Sequence, residues 1–323
     1  MALSYEYSLG SVRAKEKSLL NSADVEQLLA CESVSQLCSV LSDKGYGEGK
    51  TIDKIIAAHS DGVWAYIKSV APDFELFNIF IIQNDVHNFK VVLKGTLSGR
   101  EWNSLIISPY TVEPETLKNA VENRRHSLLP EWLAAAADKA YETLAHTGDA
   151  RLSDAIIDKA VMEEILNLAD KTGSEFLKEY FNSVIFYSDV KIAIRSSKTN
   201  AGKDYLVKAL CDVDGFDKKG IIDCALKGSD SLLERLSKIR DYDCDKAIEQ
   251  FKLSPSAFEK FVDDKLISAA KETCKHASEG AEPLLGYYLG AEAEKKVIHI
   301  IASGIRTGSD KEIIRERLRE IYG

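Results

Sequence analysis

One arrangement recurs along this chain at a spacing of roughly 104 residues, and an internal period of that length constrains the architecture more than any single motif does. An acidic residue opens an apolar-striped helix at Asp85, again at Asp189 and again at Glu294. Each helix runs into a glycine: Gly99, Gly202 or Gly308. After each glycine come a charged residue and a short apolar stretch, namely Trp102, Leu105 and Ile106; Tyr205, Leu206 and Leu210; and Ile313, Ile314 and Leu318. Three such units fill nearly all of the 323 residues and predict three similar helical domains, 1–107, 108–212 and 213–323, packed as one compact body. The connecting stretches at 98–99, 108–114, 199–202, 212–220 and 278–280 are too short and too ordinary in composition to let the units swing freely.

The punctuation within each unit is helical. The six prolines stand where a helix could start, in or just before a first turn, where a missing N–H costs little. Ser33 caps a run that ends at Gly45, and Asp73 and Ser254 resemble further caps. Tyr5, Leu9, Val12 and Leu19 or Leu20 fall on one stripe near the start, and Ile313, Ile314, Leu318, Ile321 and Tyr322 on another near the end. Two-residue alternation is almost absent. The stretches 184–187 and 192–194 could be strands in isolation, but their neighbours favour helix. The fold class is therefore all-α, with helices expected near 4–20, 73–95, 174–197, 203–211, 229–240, 283–304 and 309–322 among others.

Composition bounds the function classes. A net charge of −9, from 42 basic against 51 acidic residues, opposes the phosphate-neutralising surface of nucleic-acid binding and broad adhesion to anionic lipid. No stretch approaches the apolar length of a membrane span, and the N-terminus lacks the basic-then-apolar order of a signal peptide, so a cytoplasmic protein is expected. Six cysteines at 31, 38, 211, 224, 244 and 274 form no CxxC and match no zinc spacing; they are expected to be reduced and structural, with Cys31 and Cys38 sharing a helix face.

A search for chemistry finds imitations. Gly45 to Thr51 ends like a phosphate-binding loop, but the glycine that pattern needs is Lys44 here and the stretch follows a helix instead of a strand. A glycine-terminated helix, a turn and a new helix near Thr51 explain it. Asp263 and Asp264 lack the second acidic cluster that paired-carboxylate metal chemistry requires. Asp241, Asp243 and Asp245 resemble a calcium loop broken by Lys246 and Lys252. The histidines supply no ExxH or HExxH; Glu122 with His126, and Glu272 with His276, are spaced to stabilise helix surfaces. No serine sits in GxSxG. Asp85, Asp189 and Glu294 could be three equivalent contact points; the simpler role is charge that supports a helix or bonds a neighbouring loop. No catalytic, cofactor-binding or metal residue is assigned.

With those residues in hand, the chain resembles the C subunit of bacterial and archaeal V-type (A-type) ATPases, the counterpart of the eukaryotic d subunit. Tyr5-x-Tyr7-Ser8-Leu9-Gly10-Ser11-Val12-Arg13 is similar to the family's aromatic-led first helix. Leu41 to Gly47 resembles its helix ending in a Gly-Tyr-Gly turn, and Asp85 with Asn88 its acid followed three residues later by asparagine. Ile314 to Tyr322 is similar to its closing helix. In the middle unit Asp189 is kept, but Ile192 stands where the asparagine would be. The resemblance implies three helical units around a pseudo-threefold axis, forming a funnel with a central cavity. It implies a non-catalytic adaptor without cofactor, seated between the central stalk (the D and F subunits) and the membrane's proteolipid rotor ring, on the cytoplasmic face. Such an adaptor passes torque to ion transport that its partners carry out. Two other readings compete: a helical-repeat scaffold that binds proteins, which repeats near 34 or 40 residues would favour, and an all-α metal-dependent lyase or synthase.

Overall fold

The computed structural model describes residues 4–323, and every regular element among them is a helix or a single 3-10 turn; none is a strand. In chain order the α-helices are α1 (Tyr5–Glu16), α2 (Ser22–Ala30), α3 (Val34–Asp43), α4 (Ile52–Val70), α5 (Asn78–Ser98), α6 (Pro114–Glu122), α7 (Glu131–Thr147) and α8 (Ala150–Thr172). They continue as α9 (Glu175–Thr199), α10 (Lys203–Ala209), α11 (Lys218–Lys227), α12 (Ser229–Leu236), α13 (Cys244–Leu253), α14 (Pro255–Cys274), α15 (Glu282–Thr307) and α16 (Lys311–Arg317). The chain divides into two compact units, Met1–Phe74 with Lys246–Gly323, and Glu75–Asp245.

The first unit is organised by α15, against which α1, α2, α3, α4, α14 and α16 pack. Val297, Ile298 and Ile301 on α15 are fully buried and share one core with Leu28, Leu37, Leu41, Ile52 and Ile55. Each such side chain contributes roughly 1.5–3 kcal/mol by leaving water, so packing holds α15 more than intrinsic propensity does. Two glycines let a neighbour approach the α15 backbone. A Cβ at Gly286 would lie 2.3 Å from the Tyr322 hydroxyl and 2.6 Å from the Cys274 Cβ, and one at Gly290 would lie 2.8 Å from the Tyr322 Cβ. Tyr322 thus lies directly on the helix.

In the second unit α8 and α9 fold back on each other across Gly173, which takes the left-handed conformation at φ 67°, and Ser174, whose hydroxyl accepts the Leu177 N–H. The helices α5, α7 and α10 pack on α8, while α11 and α12 pack on α9. Phe186 on α9 stacks on Tyr242 at 4.0 Å between ring centroids, and Phe216 meets it edge-on.

The all-α expectation holds, including for 184–187 and 192–194, which lie inside α9. Ser33 and Ser254 cap α3 and α14 through the N–H groups of Gln36 and Ala257. Several expectations fail. The stretch 212–220 is not wholly a connection: α11 begins at Lys218, because Asp217 caps it by accepting the Gly220 N–H, and a Cβ at Gly220 would collide with that carboxylate at 2.2 Å. The closing helix stops at Arg317 and not at 322. Lys260 bonds the Leu318 carbonyl and Asp264 accepts the Glu320 N–H at 2.6 Å, so these backbone groups are satisfied from α14 and need no further helical turn. Within the helix Ile314 is buried while Ile313 is 49% exposed and off the stripe, and Leu318, Ile321 and Tyr322 stay buried beyond the helix. The first helix ends at Glu16, and Leu19 and Leu20 are buried in the turn after it. A 3-10 turn at Phe74–Phe77 precedes α5, so the helix expected from 73 starts at Asn78. Pro109, after a cis peptide bond, lies in a loop five residues short of α6.

Candidate functional site

Three helix-borne carboxylates are the most buried acids among the described residues: Asp85 and Glu294 are 0% exposed and Asp189 is 1% exposed. All three accept backbone N–H groups from a non-helical stretch. Asp85 Oδ1 takes the amides of Thr111 at 2.8 Å and Val112 at 3.1 Å, and Oδ2 the Thr111 hydroxyl at 2.5 Å. Its helix adds two asparagines to the same loop. Asn88 both donates to and accepts from the Ile107 backbone at 2.9 Å, and Asn84 donates to the Pro109 carbonyl at 2.8 Å. Asp189 accepts the Cys211 N–H at 2.8 Å, where Ile192 supplies no asparagine-like partner. Glu294 accepts the Leu20 N–H on one oxygen and the Tyr46 hydroxyl on the other.

Burial dominates the acidity of all three. It raises the Asp85 carboxyl above the usual range, opposed by the Thr111 and Val112 bonds. It raises Asp189 to about 7 against the Cys211 N–H and two lysines, and Glu294 to about 7 against Tyr46 and Leu20. Tyr46, itself buried beside Glu294, is held well above the usual phenol range. Its ring stacks on His59 at 4.0 Å, and burial lowers that imidazole to about 4. Chemically these are latches. Loop donors occupy both oxygens of Asp85 and Glu294 and one of Asp189, and none of the three lines the groove beside Arg151 and Arg195 or the one beside Lys260.

The other candidate stretches take structural places. From Gly45 to Thr51 the chain leaves α3 through Gly45 and Gly47 at φ 85° and 98°, drives Tyr46 into the core, and starts α4 with Thr51 accepting the Lys54 N–H. Asp263 pairs with Lys296 at 2.5 Å and Arg319 at 2.8 Å, so with Asp264 it fastens the C-terminal segment. Asp241 and Asp243 bound a single 3-10 turn. His126 lies outside α6 and bonds Asp138 at 3.2 Å, so the expected helical pair with Glu122 does not form. All six cysteines are free thiols; Cys31 caps the end of α2 while Cys38 belongs to α3, so they share a core and not a helix face. No group of three or more His, Cys, Asp or Glu poised to hold a metal occurs among the described residues, and no helix among them is long and apolar enough to cross a membrane.

Sequence reasoning named no contact surface, and the structure offers two kinds. The loop fastened by α5 exposes Leu105 by 55% and Ile107 by 41%. In the other unit an open groove of about 520 Å³ is lined by Lys260, Phe261, Ile313 and Arg317, with Leu253, 74% exposed, just before its Ser254 edge. The available signal was an apolar pair in a stretch lacking helical period, which marks a residue that no internal face requires.

Comparison with known proteins supplies a context for this arrangement. A family model described as ATP synthase (C/AC39) subunit matches residues 9–317. The C subunit of the V-type sodium ATPase of Enterococcus hirae is 21% identical, over 96% of this chain and 97% of its own. The C subunit of the A-type ATP synthase of Methanocaldococcus jannaschii is 20% identical over 97% of this chain and 86% of its own. Its counterpart in the A-type ATP synthase of Methanobrevibacter smithii is 23% identical over 92% and 83%.

Proposed function

Because the chain belongs to the ATP synthase (C/AC39) subunit family, whose members are non-catalytic C subunits of V-type and A-type ATPases, we propose that it couples the rotor of such a complex. In this reading it sits on the cytoplasmic face, joins the central stalk (the D and F subunits) to the proteolipid ring, and transmits torque between ATP chemistry and ion transport performed by its partners. The three sequence units, 1–107, 108–212 and 213–323, would surround a pseudo-threefold axis as a funnel with a central cavity, and Asp85, Asp189 and Glu294 would be equivalent positions in them.

The observation that carries the proposal is the repeated use of a buried helical carboxylate to fasten a loop. A part that transmits torque must resist twisting, and loops fastened to long helices by buried bonds yield less than loops held by solvent-exposed ones. Such loops can present exposed apolar side chains, here Leu105 and Ile107, at fixed positions, which suits an interface whose affinity comes from buried anchors and whose partner choice comes from surrounding charge.

The test is isolation of the tagged chain from membranes of its own cells under mild detergent. Recovery with stalk subunits and proteolipid in fixed ratio is expected, and Leu105→Asp with Ile107→Asp should weaken retention of one partner class while leaving the isolated chain folded. Recovery of the chain alone, or with proteins unrelated to the ATPase, would overturn the assignment.

A further inference from the structure

We infer that the groove between α8 and α9 is a docking site for an amphipathic helix of a partner protein, one whose acidic residues flank a stripe of small apolar side chains. The groove lies wholly within the second unit and encloses about 590 Å³. Its two walls carry the same spacing. On α8 the lining residues are Arg151, Asp154, Ala155 and Asp158; on α9 they are Ser188, Lys191, Ile192 and Arg195. Both sets follow the 0, 3, 4, 7 interval that puts side chains on one helical face, and each spans two turns, about 10 Å. Two stripes of that kind lining one open groove, with Tyr205 and Ala209 of α10 completing it, form the cradle into which a third helix packs by ridges and grooves. Ala155 and Ala209 keep the floor low, and Ile192 is half-buried there.

Charge selects the occupant. The two carboxylates of the lining are already matched from α5, Asp154 by Lys94 at 2.7 Å and Asp158 by Lys90. The exposed Arg195 makes no ion pair with the described residues, and Arg151 lies over the Tyr205 ring at 4.2 Å, which orients its guanidinium without neutralising it. Arg151 and Arg195 therefore leave the groove positive on a chain whose net charge is −9. A positive cradle with a narrow apolar floor complements acidic flanks around alanine-sized side chains, and arginine favours carboxylates through paired N–H donors.

The groove's chemistry stands by itself; only the expectation that the partner is another component of the ATPase rests on the proposed function. The experiment places a photoreactive benzoylphenylalanine at Ile192 in the full chain, expressed in its own cells, with a control probe at Asn167, which is exposed on α8 outside the groove. After irradiation the complex is isolated and the adduct sequenced. The expected result is an adduct from Ile192 alone, on a helical segment of another protein with acids on both sides of a small-residue stripe. Arg151→Glu with Arg195→Glu should reduce it at least about tenfold at unchanged helicity, and Arg195→Glu alone should reduce it in part. An adduct on lipid, nucleic acid, this chain itself or a segment without acids would overturn the inference, as would no adduct or one indifferent to the arginines. Failure to co-purify with an ATPase would instead sink the proposed function, whatever the adduct's chemistry.

Discussion

Replacing Glu294 by glutamine should remove a pH dependence of stability whose size follows from the structure. The carboxyl is fully buried and ionises near 7 in the fold, against an ordinary 4.5. Between those values the folded chain keeps a proton that the unfolded chain has lost, so the folded state binds more protons and stability falls as pH rises. The contribution is complete below about 4.5, declines through the interval and levels off above about 7. At about 1.4 kcal/mol per pH unit the full loss is about 3 kcal/mol, of which about 2–3 kcal/mol falls between pH 5 and pH 8. A glutamine at this position could still accept the Leu20 N–H and face Tyr46, but it cannot ionise. Urea titrations at several pH values, with Trp102 and Trp132 replaced by phenylalanine in both proteins so that the fluorescence is that of Trp64 in the same unit as Glu294, give the difference between the Glu294 protein and its Glu294→Gln variant. That difference should shrink by about 2–3 kcal/mol from pH 5 to pH 8. A difference that stays flat, or grows with pH, would refute the claim that burial outweighs the two donors.

Three further outcomes follow from packing and hydrogen bonding. Gly286→Ala should cost about 1–3 kcal/mol because its Cβ meets the Tyr322 hydroxyl and Cys274, and Tyr322→Phe should relieve part of that cost, which a double-mutant cycle in thermal melts would reveal. Asn88→Ala should cost about 1–3 kcal/mol by leaving the Ile107 backbone without its two bonds, and hydrogen exchange at the Ile107 amide should speed up while that at Cys211 stays unchanged. Removing the chain from Lys311 onward strips Ile314, Leu318, Ile321 and Tyr322 from the α15 core, at roughly 1.5–3 kcal/mol each, so gel filtration should find aggregation or failed assembly; a soluble, assembling truncation would contradict that packing role.

Helical periodicity was legible because the long helices carry it in full. Residues 34–43, 52–70 and 175–199 emerge almost where spacing and caps place them. Legibility failed where a tertiary bond replaced a local one. Gly220 suggests a break, yet the Asp217 carboxylate folds over it and starts α11. Leu318 to Tyr322 continue a helical stripe, yet α14 supplies their backbone partners, and no sequence window contains both segments. The same distance hid the partners of the buried acids. Asp85 and Thr111 are 26 residues apart, but Glu294 and Leu20 are separated by 274, so the acid is visible in sequence and its partner is not. The α8–α9 groove was invisible for a related reason: each stripe alone resembles an ordinary solvated helix face, and only their juxtaposition makes a cradle.

Ion transport by membranes depleted of this chain tests the coupling role most directly. ATP hydrolysis by the water-soluble sector should continue after depletion while ATP-driven ion uptake is lost, and adding back the folded chain should restore uptake in proportion to the amount rebound. Uptake that persists at full rate without the chain would contradict a rotor-coupling role.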